Sequence, residues 1–292
     1  MNKEELHFFL GGKDLEMAAI KTLLEKENVA YSDAGLAWGA STSKYGDEIS
    51  KVSSKGKTPV LVELQVDSPL PENIINIDHH NDRAGEPASI LQVCETLGIQ
   101  PTRTMQLIAA NDSGYIPAMK AMGATPEEVS QIRLMDRQAQ GITAEQEQEA
   151  ERAIAEKEEV YGVTVVRMKH SKTATVTDRL FDENKPQNLL IFSEDGEVNY
   201  FGNGLICKEL QGNKTGKDEN GYDTFDHFGG WNGGTGLGKS DGTAFWGGYP
   251  NHAEVLKFVI NRNRELNQKE KSAPQQDMIM KSIIKDFGNR SR

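Results

Sequence analysis

Short apolar runs alternate with stretches of helical period through the first half of the chain. Residues 6–12, LHFFLGG, read as a strand closed by two glycines. Residues 14–27, DLEMAAIKTLLEKE, then place Ile20, Leu23 and Leu24 on one helical face. Two more short strands, rich in Val and Ile, are predicted over residues 58–65 (TPVLVELQ) and 73–78 (NIINID), with DSPLPE near the turn between them. GEPASILQVCETLG predicts a helix with Pro87 in its first turn and Gly98 at its stop. PTRTMQLIAAND continues as a helix, and TPEEVSQIRLMDRQAQ opens another with Thr125, Pro126 and Glu128 in capping-box positions. Strand, glycine turn and helix in succession predict an α/β fold with a doubly wound, mostly parallel sheet.

A mostly charged helical stretch over residues 143–162 reads as a linker, and the pattern restarts after Gly162. VTVVRM and NLLIFS are predicted strands, with a helix over TATVTDRLFDE between them. A turn at Asp195-Gly196 leads to a further strand, and residues 250–264 form an amphipathic helix. The expected organisation is a first domain over 1–142, a linker over 143–162 and a second, smaller α/β domain across a cleft over 163–265. A polar tail over 266–292 would follow, within which DMIMKSIIKDFG has the pattern of a docking helix.

Composition narrows the class. The 292 residues are 37% hydrophobic and 26% charged, and 33 basic against 44 acidic side chains give a net charge of −11. A surface that neutralises long nucleic acid is usually basic, so extended duplex is not the expected partner. No apolar run reaches the length of a bilayer crossing, no signal sequence is evident, and a cytoplasmic location is expected. Cys94 and Cys207 lack any CxxC spacing and are expected to be buried, reduced thiols.

The chemistry concentrates at the predicted strand ends. Two of the six histidines stand side by side in NIINIDHHND, where an apolar strand runs straight into Asp78, His79 and His80. Asp14 and Glu16 follow the first strand and its glycine turn. Glu63 interrupts the apolar run VLVEL, an expensive place for an unpaired acid. Asp112 ends the apolar helix segment LIAAN. In open α/β sheets the carboxyl ends of the strands gather at one edge, so these acids and an imidazole form a candidate site for a divalent cation with oxygen and nitrogen ligands, such as Mn²⁺ or Mg²⁺.

With Asp14-x-Glu16, the strand acid Glu63, Asp78-His79-His80 and the NDSG around Asp112 in this order, residues 6–125 resemble the DHH phosphoesterase superfamily. That superfamily includes RecJ-type exonucleases, oligoribonucleases, cyclic dinucleotide phosphodiesterases and manganese-dependent inorganic pyrophosphatases. The resemblance implies a manganese-dependent hydrolase holding one or two ions. Glu63 would bridge two metals, Glu16, His79 and Asp112 would complete one site, and Asp14 would serve the other. His80 would face the substrate phosphate, with Asp78 orienting the histidines. The chain also departs from the pattern: Leu10 stands where the first family motif commonly has a histidine, and Glu16 and Glu63 stand where Asp is usual. One metal site is therefore expected nearly complete and the other depleted.

In the second half, GGWNGGTGLGKSDGTAFWGG loosely resembles the family's glycine-rich C-terminal signature. Gly229, Gly230 and Lys239 are candidates to hold phosphate, with Trp231 and Trp246 available to stack bases. A hairpin with core tryptophans is the competing reading. RMKHSKT is a basic island from which Arg167, Lys169, His170 or Lys172 would reach a phosphate, or else an exposed loop. His7, His227 and His252 read as structural or surface residues, Asp226-His227 being the least ordinary. The expected function is phosphoester hydrolysis on a small nucleotide, cyclic dinucleotide or short oligonucleotide. No membrane partner is expected, and a homodimer is compatible with the chain. The alternative is a catalytically impaired DHH-like fold serving as a sensor or scaffold for a phosphorylated ligand, motivated by Leu10 and Glu16.

Overall fold

The computed structural model describes residues 2–37, 39–240, 244–267 and 274–290. The chain forms two compact units, Met1–Ile142 and Thr143–Arg292.

The first unit is built on a four-stranded, all-parallel sheet in the order β2-β1-β3-β4, from β1 (Leu6–Leu10), β2 (Ala30–Asp33), β3 (Thr58–Val62) and β4 (Ile75–Ile77). Alternation along the central strands decides what covers each face. Leu6, Phe8, Leu10, Val60 and Val62 pack with residues of α1 (Leu15–Lys26) and α3 (Ser89–Leu97). Phe9 and Leu61 point the other way, against Ile49 and Val52 of α2 (Glu48–Ser54). The sheet is therefore doubly wound. The chain leaves β1 for β2 on one side, then crosses to β3 on the other, so β1 and β3 flank a topological switch point.

Two helices complete this unit. In α4 (Arg103–Ala121), Gly114 and Tyr115 leave helical geometry, Tyr115 at φ 58°, so the helix kinks immediately after Asp112. Pro117 then lies in the first turn of the new segment, where its missing N–H does least harm. α5 (Pro126–Ala139) begins with the expected Thr125–Glu128 capping box. The hydrophobic pattern did not predict β2 or α2. β2 is a half-exposed strand at the sheet edge with no apolar run, and α2 is only seven residues long.

The second unit carries a mixed six-stranded sheet in the order β11-β12-β8-β7-β6-β5. Its members are β5 (Glu158–Val160), β6 (Val163–Met168), β7 (Leu189–Ser193), β8 (Val198–Gly202), β11 (Trp231–Gly233) and β12 (Ala244–Gly248); only β6 and β7 pair in parallel. A separate hairpin joins β9 (Lys214–Lys217) and β10 (Asp223–Phe225). The expected linker over 143–162 is corrected. Its helix, α6 (Ala144–Ala155), stops early and β5 follows. Ala150 and Ala153 are buried against Val166, Met168, Leu189 and Ile191, because small side chains let the helix lie close to the sheet. The helix expected over TATVTDRLFDE shrinks to α7 (Ala174–Thr177), while α8 (Gly204–Gln211) was not anticipated.

The polar tail over 266–292 is corrected as well, while the docking-helix pattern of DMIMKSIIKDFG within it holds. α9 (His252–Asn267) is followed by α10 (Pro274–Arg290). Ile283 of α10 is fully buried in the core formed by Val163, Leu190, Trp246 and Ile260, with Ile279, Met280, Ile284 and Phe287 packed around it. The Tyr161 hydroxyl donates to Asp277 at 2.6 Å, which fixes the helix at a second point. With α6 and α10 included, the second unit is no smaller than the first. No described helix is long and apolar enough to cross a membrane.

If α10 is integral to this core, Ile283→Ala should cost roughly 2–5 kcal/mol, as buried Ile-to-Ala changes do. Urea unfolding followed by tryptophan fluorescence measures this, and a loss below about 0.5 kcal/mol, the scale of surface changes, would detach the helix from the core.

Candidate metal centre

The site forms where β1, β3 and β4 end. The Gly11 N–H donates to the Val62 carbonyl at 2.9 Å, and a Cβ on Gly11 would lie 2.3 Å from the Glu63 carbonyl oxygen. Only glycine allows the loops after β1 and β3 to touch. Asp14 caps α1, its Oδ1 accepting from the Met17 N–H at 2.8 Å. Glu16, two residues on in the first turn of α1, points inward and is 2% exposed; its Oε1 accepts from the Ile90 N–H at 3.0 Å, in the first turn of α3. This orientation lets α3's unsatisfied N–H groups and positive end stabilise a buried carboxylate.

Glu63 leaves β3 with φ 51°, a left-handed conformation rare for a side chain of this size. Such strain at a strand end is a mark of a site where geometry outweighs backbone preference. Asp78, His79 and His80 follow β4, and Asp112 arrives from α4 just before the kink.

His79 is the hub. Its Nε2 lies 2.7 Å from Asp112 Oδ2, 3.5 Å from Glu16 Oε2 and 3.7 Å from Glu63 Oε1. All four of these atoms are buried and face one another, with no hydrogen-bond partner outside the group. Buried carboxylates and an imidazole are almost always given partners beyond themselves, so four donor atoms converging in one small volume fit a site for a cation. Two overlapping donor sets arise, Glu16–His79–Asp112 and Glu63–His79–His80, each with ligand atoms within 4.8 Å of one another. Carboxylate oxygens with imidazole nitrogen suit Mn²⁺ or Mg²⁺ better than a thiophilic ion.

Without a cation, protons must relieve the repulsion. Burial, reinforced by the charge of Glu16, pushes the Glu63 carboxyl up to about 9. The carboxylates of Asp112 and Glu16 push His79 up to about 10. Burial, with Asp112 and Glu16 adding to it, also holds Asp14 above the usual carboxylate range.

His80 stands beside this centre. Its backbone N–H and its ring Nδ1 both meet Asp78 Oδ1, at 2.9 and 3.0 Å. Asp78 thus orients His80 and has no such contact with His79. A cleft of about 270 Å³ opens here, lined by Gly12, Glu63, Asp78, His80 and Asn81. Leu10, where the resemblance would lead one to expect a histidine, is 1% exposed in the hydrophobic core and offers no ligand. Asp14 belongs to neither donor set among the described residues.

The candidate residues of the second unit do not come together as one cluster. Arg167 lies on β6 and pairs with Glu158, while the Lys169 side chain is exposed. His170 Nε2 lies 3.2 Å from Glu149 Oε2 and 3.1 Å from the Gln146 carbonyl, tying the end of β6 to α6. Gly229 and Gly230 precede β11, across three intervening strands from β6, roughly 19 Å at ordinary strand spacing. They serve the hairpin itself: a Cβ on Gly230 would lie 2.1 Å from the Gly247 carbonyl oxygen. The Lys239 side chain is exposed, and its carbonyl accepts from the Leu205 N–H at 3.2 Å.

The two tryptophans divide. Trp246 is fully buried and donates to the Gly229 carbonyl at 2.8 Å; Trp231 is 41% exposed. Residues 241–243 of the glycine-rich stretch lie outside the described residues. Asp226 accepts from Asn213, and His227 packs against Phe228 and Phe258, so both are structural. Both cysteines are free and buried.

Sequence reasoning missed the polar network beside Asp112. Arg133 Nη1 donates to Asn111 Oδ1 at 2.8 Å and to Asp136 Oδ2 at 2.7 Å, and its guanidinium covers the Tyr115 ring. The signal was present: Arg133, Asp136 and Arg137 share the buried stripe of α5 with Val129 and Ile132.

Comparison with protein-family models and with curated proteins finds no match to this chain.

Mn²⁺ must displace the protons on Glu63 and His79, so its affinity should rise as pH increases towards 9. At neutral pH, binding should release about one to two protons per ion. Calorimetry in buffers of different ionisation enthalpy reads this, and pH-independent affinity would contradict the assignment. Glu63→Gln mimics the protonated acid: the metal-free melting temperature should hardly change, while the rise produced by Mn²⁺ should disappear.

Proposed function

We propose that the chain is a DHH-type, divalent-metal-dependent phosphoesterase acting on a small nucleotide, cyclic dinucleotide or short oligonucleotide. The observation that carries this reading is the convergence of Glu16 Oε2, Glu63 Oε1, His79 Nε2 and Asp112 Oδ2, buried with only one another as partners, at the switch point of a parallel sheet. When bound, a divalent ion supplies water activation and neutralises charge on phosphate oxygens. Glu16, His79 and Asp112 would hold it, with Glu63 at their border.

The chain's own groups do the rest. Asp78 holds the His80 imidazole at the cleft wall. From there His80 would donate one hydrogen bond, to a phosphate oxygen of the substrate. The Glu16 carboxylate stays fixed by the Ile90 N–H while the reaction proceeds. A net charge of −11 favours short substrates, for which a local pocket is enough.

A second reading, a phosphorylated-ligand sensor without turnover, draws on the buried Leu10 and on Asp14, whose Oδ1 is committed to capping α1. Both weaken a second metal position, on which two-metal hydrolysis depends.

Release of phosphate or mononucleotide from adenosine 3′,5′-bisphosphate, short oligonucleotides, cyclic dinucleotides and pyrophosphate should be measured with Mn²⁺ and with chelator. Manganese-dependent turnover is expected, and His79→Ala or Asp112→Ala should lower it by about 10²-fold or more, the scale of losing one preorganised group. Asp78→Asn should lower kcat while leaving Mn²⁺ affinity unchanged, because Asp78 positions His80 only. Tight nucleotide binding with no turnover would favour the sensor, and undiminished activity in His79→Ala would remove the site.

A further inference from the structure

We propose that the second unit holds a ligand pocket of its own, built for a planar aromatic molecule carrying a single negative charge. This inference does not rest on the metal-centre reading, because every lining residue belongs to Thr143–Arg292.

The cavity measures about 890 Å³, and ligand sites span roughly 300–1,000 Å³. It opens beyond the carboxyl ends of β6 and β7, the one parallel pair in this sheet, between the start of α9 and the C-terminal half of α10. Phe192, His252 and Phe287 form its apolar wall, with ring centroids 4.7 to 5.2 Å apart in tilted and edge-on arrangements. Such a wall presents faces and edges on which a flat ring packs better than an aliphatic chain.

Arg167 supplies the polar end. One guanidinium nitrogen, Nη2, pairs with Glu158, and the group stands 5.9 Å from the centre of the Phe287 ring. Its Nε is buried and has no hydrogen-bond partner. A buried N–H left without an acceptor is costly, so an acceptor oxygen at this place is favoured. The acidic neighbours Glu158 and Glu194 limit how much negative charge the site accepts, which points to one charge rather than several. Two sources fit that chemistry, an aromatic carboxylate and a nucleoside cyclic monophosphate, and the volume accommodates either.

Titration calorimetry on the full chain in EDTA tests this with 3′,5′-cyclic AMP and anthranilate, using adenosine and inorganic phosphate as controls. Binding of one cyclic AMP or one anthranilate per chain is expected, and which of them binds identifies the source. Adenosine and phosphate should each bind at least tenfold more weakly. Arg167→Lys keeps the charge facing Glu158 but removes the Nε–H, and should weaken binding about tenfold. Ala253→Trp, which fills the cavity from α9, should abolish it, with near-ultraviolet circular dichroism showing that the unit remains folded. His79→Ala should leave binding within twofold. The proposal is overturned if neither probe binds, if adenosine binds as tightly as cyclic AMP, or if both pocket variants bind normally. Loss of binding in His79→Ala would move the ligand to the metal centre instead.

Discussion

The first unit is organised around an electrostatic debt. Three carboxylates and an imidazole converge in a buried volume where Glu16 Oε2, Glu63 Oε1, His79 Nε2 and Asp112 Oδ2 have only one another as partners. Burial of unpaired charge is among the most unfavourable things a fold can do. The chain nevertheless commits local structure to it: a glycine where β1 meets β3, a left-handed Glu63, a Glu16 braced by α3 and a kink just after Asp112. These features make sense together if a divalent cation offsets the repulsion they create. Any one of them alone would be unremarkable.

The parallel sheet makes this convergence possible. Each of β1, β3 and β4 ends at the same edge, so residues far apart in sequence arrive within a few ångströms without the core being disturbed. Below the edge, Leu6, Phe8, Val60 and Val62 form a dry, close-packed layer. The rigidity of that layer fixes the donor atoms, and the loops above it need only carry the chemistry. The second unit applies the same geometry: a cavity opens beyond the ends of its parallel pair, β6 and β7.

Much of the first unit was legible because its periodicities are clean. The runs at β1, β3 and β4 are apolar, and the Thr125–Glu128 box marks α5 without ambiguity. The residues of the candidate metal centre stood out for a related reason: an acid inside VLVEL and two histidines after NIINID conflict with burial unless they share a partner. What failed were readings based on charge. The stretch over 143–162 is mostly polar, yet two alanines and a shared sheet face turn its helix into part of the core. The tail after Leu266 is polar on average, yet Ile279, Ile283 and Phe287 give α10 one apolar side and a place to bury it. Average polarity does not reveal which residues face inward; periodicity does.

The sequence by itself determined most elements of the first unit, though not β2 or α2, the strand-end position of the acids and histidines, and a net acidic charge. Local propensity and hydrophobic period are properties of neighbouring residues, so a linear reading can find them. Only the tertiary structure decided that Asp112 meets His79, that Asp78 orients His80 rather than His79, and that Asp14 spends one oxygen on a helix cap. It also decided that Trp246 is core while Trp231 is surface, and that Arg167 and Phe287, 120 residues apart, share a cavity. Those outcomes depend on strand order, on crossover connections and on which face of each helix meets the sheet. Such contacts are long-range, and no local stretch of residues encodes them.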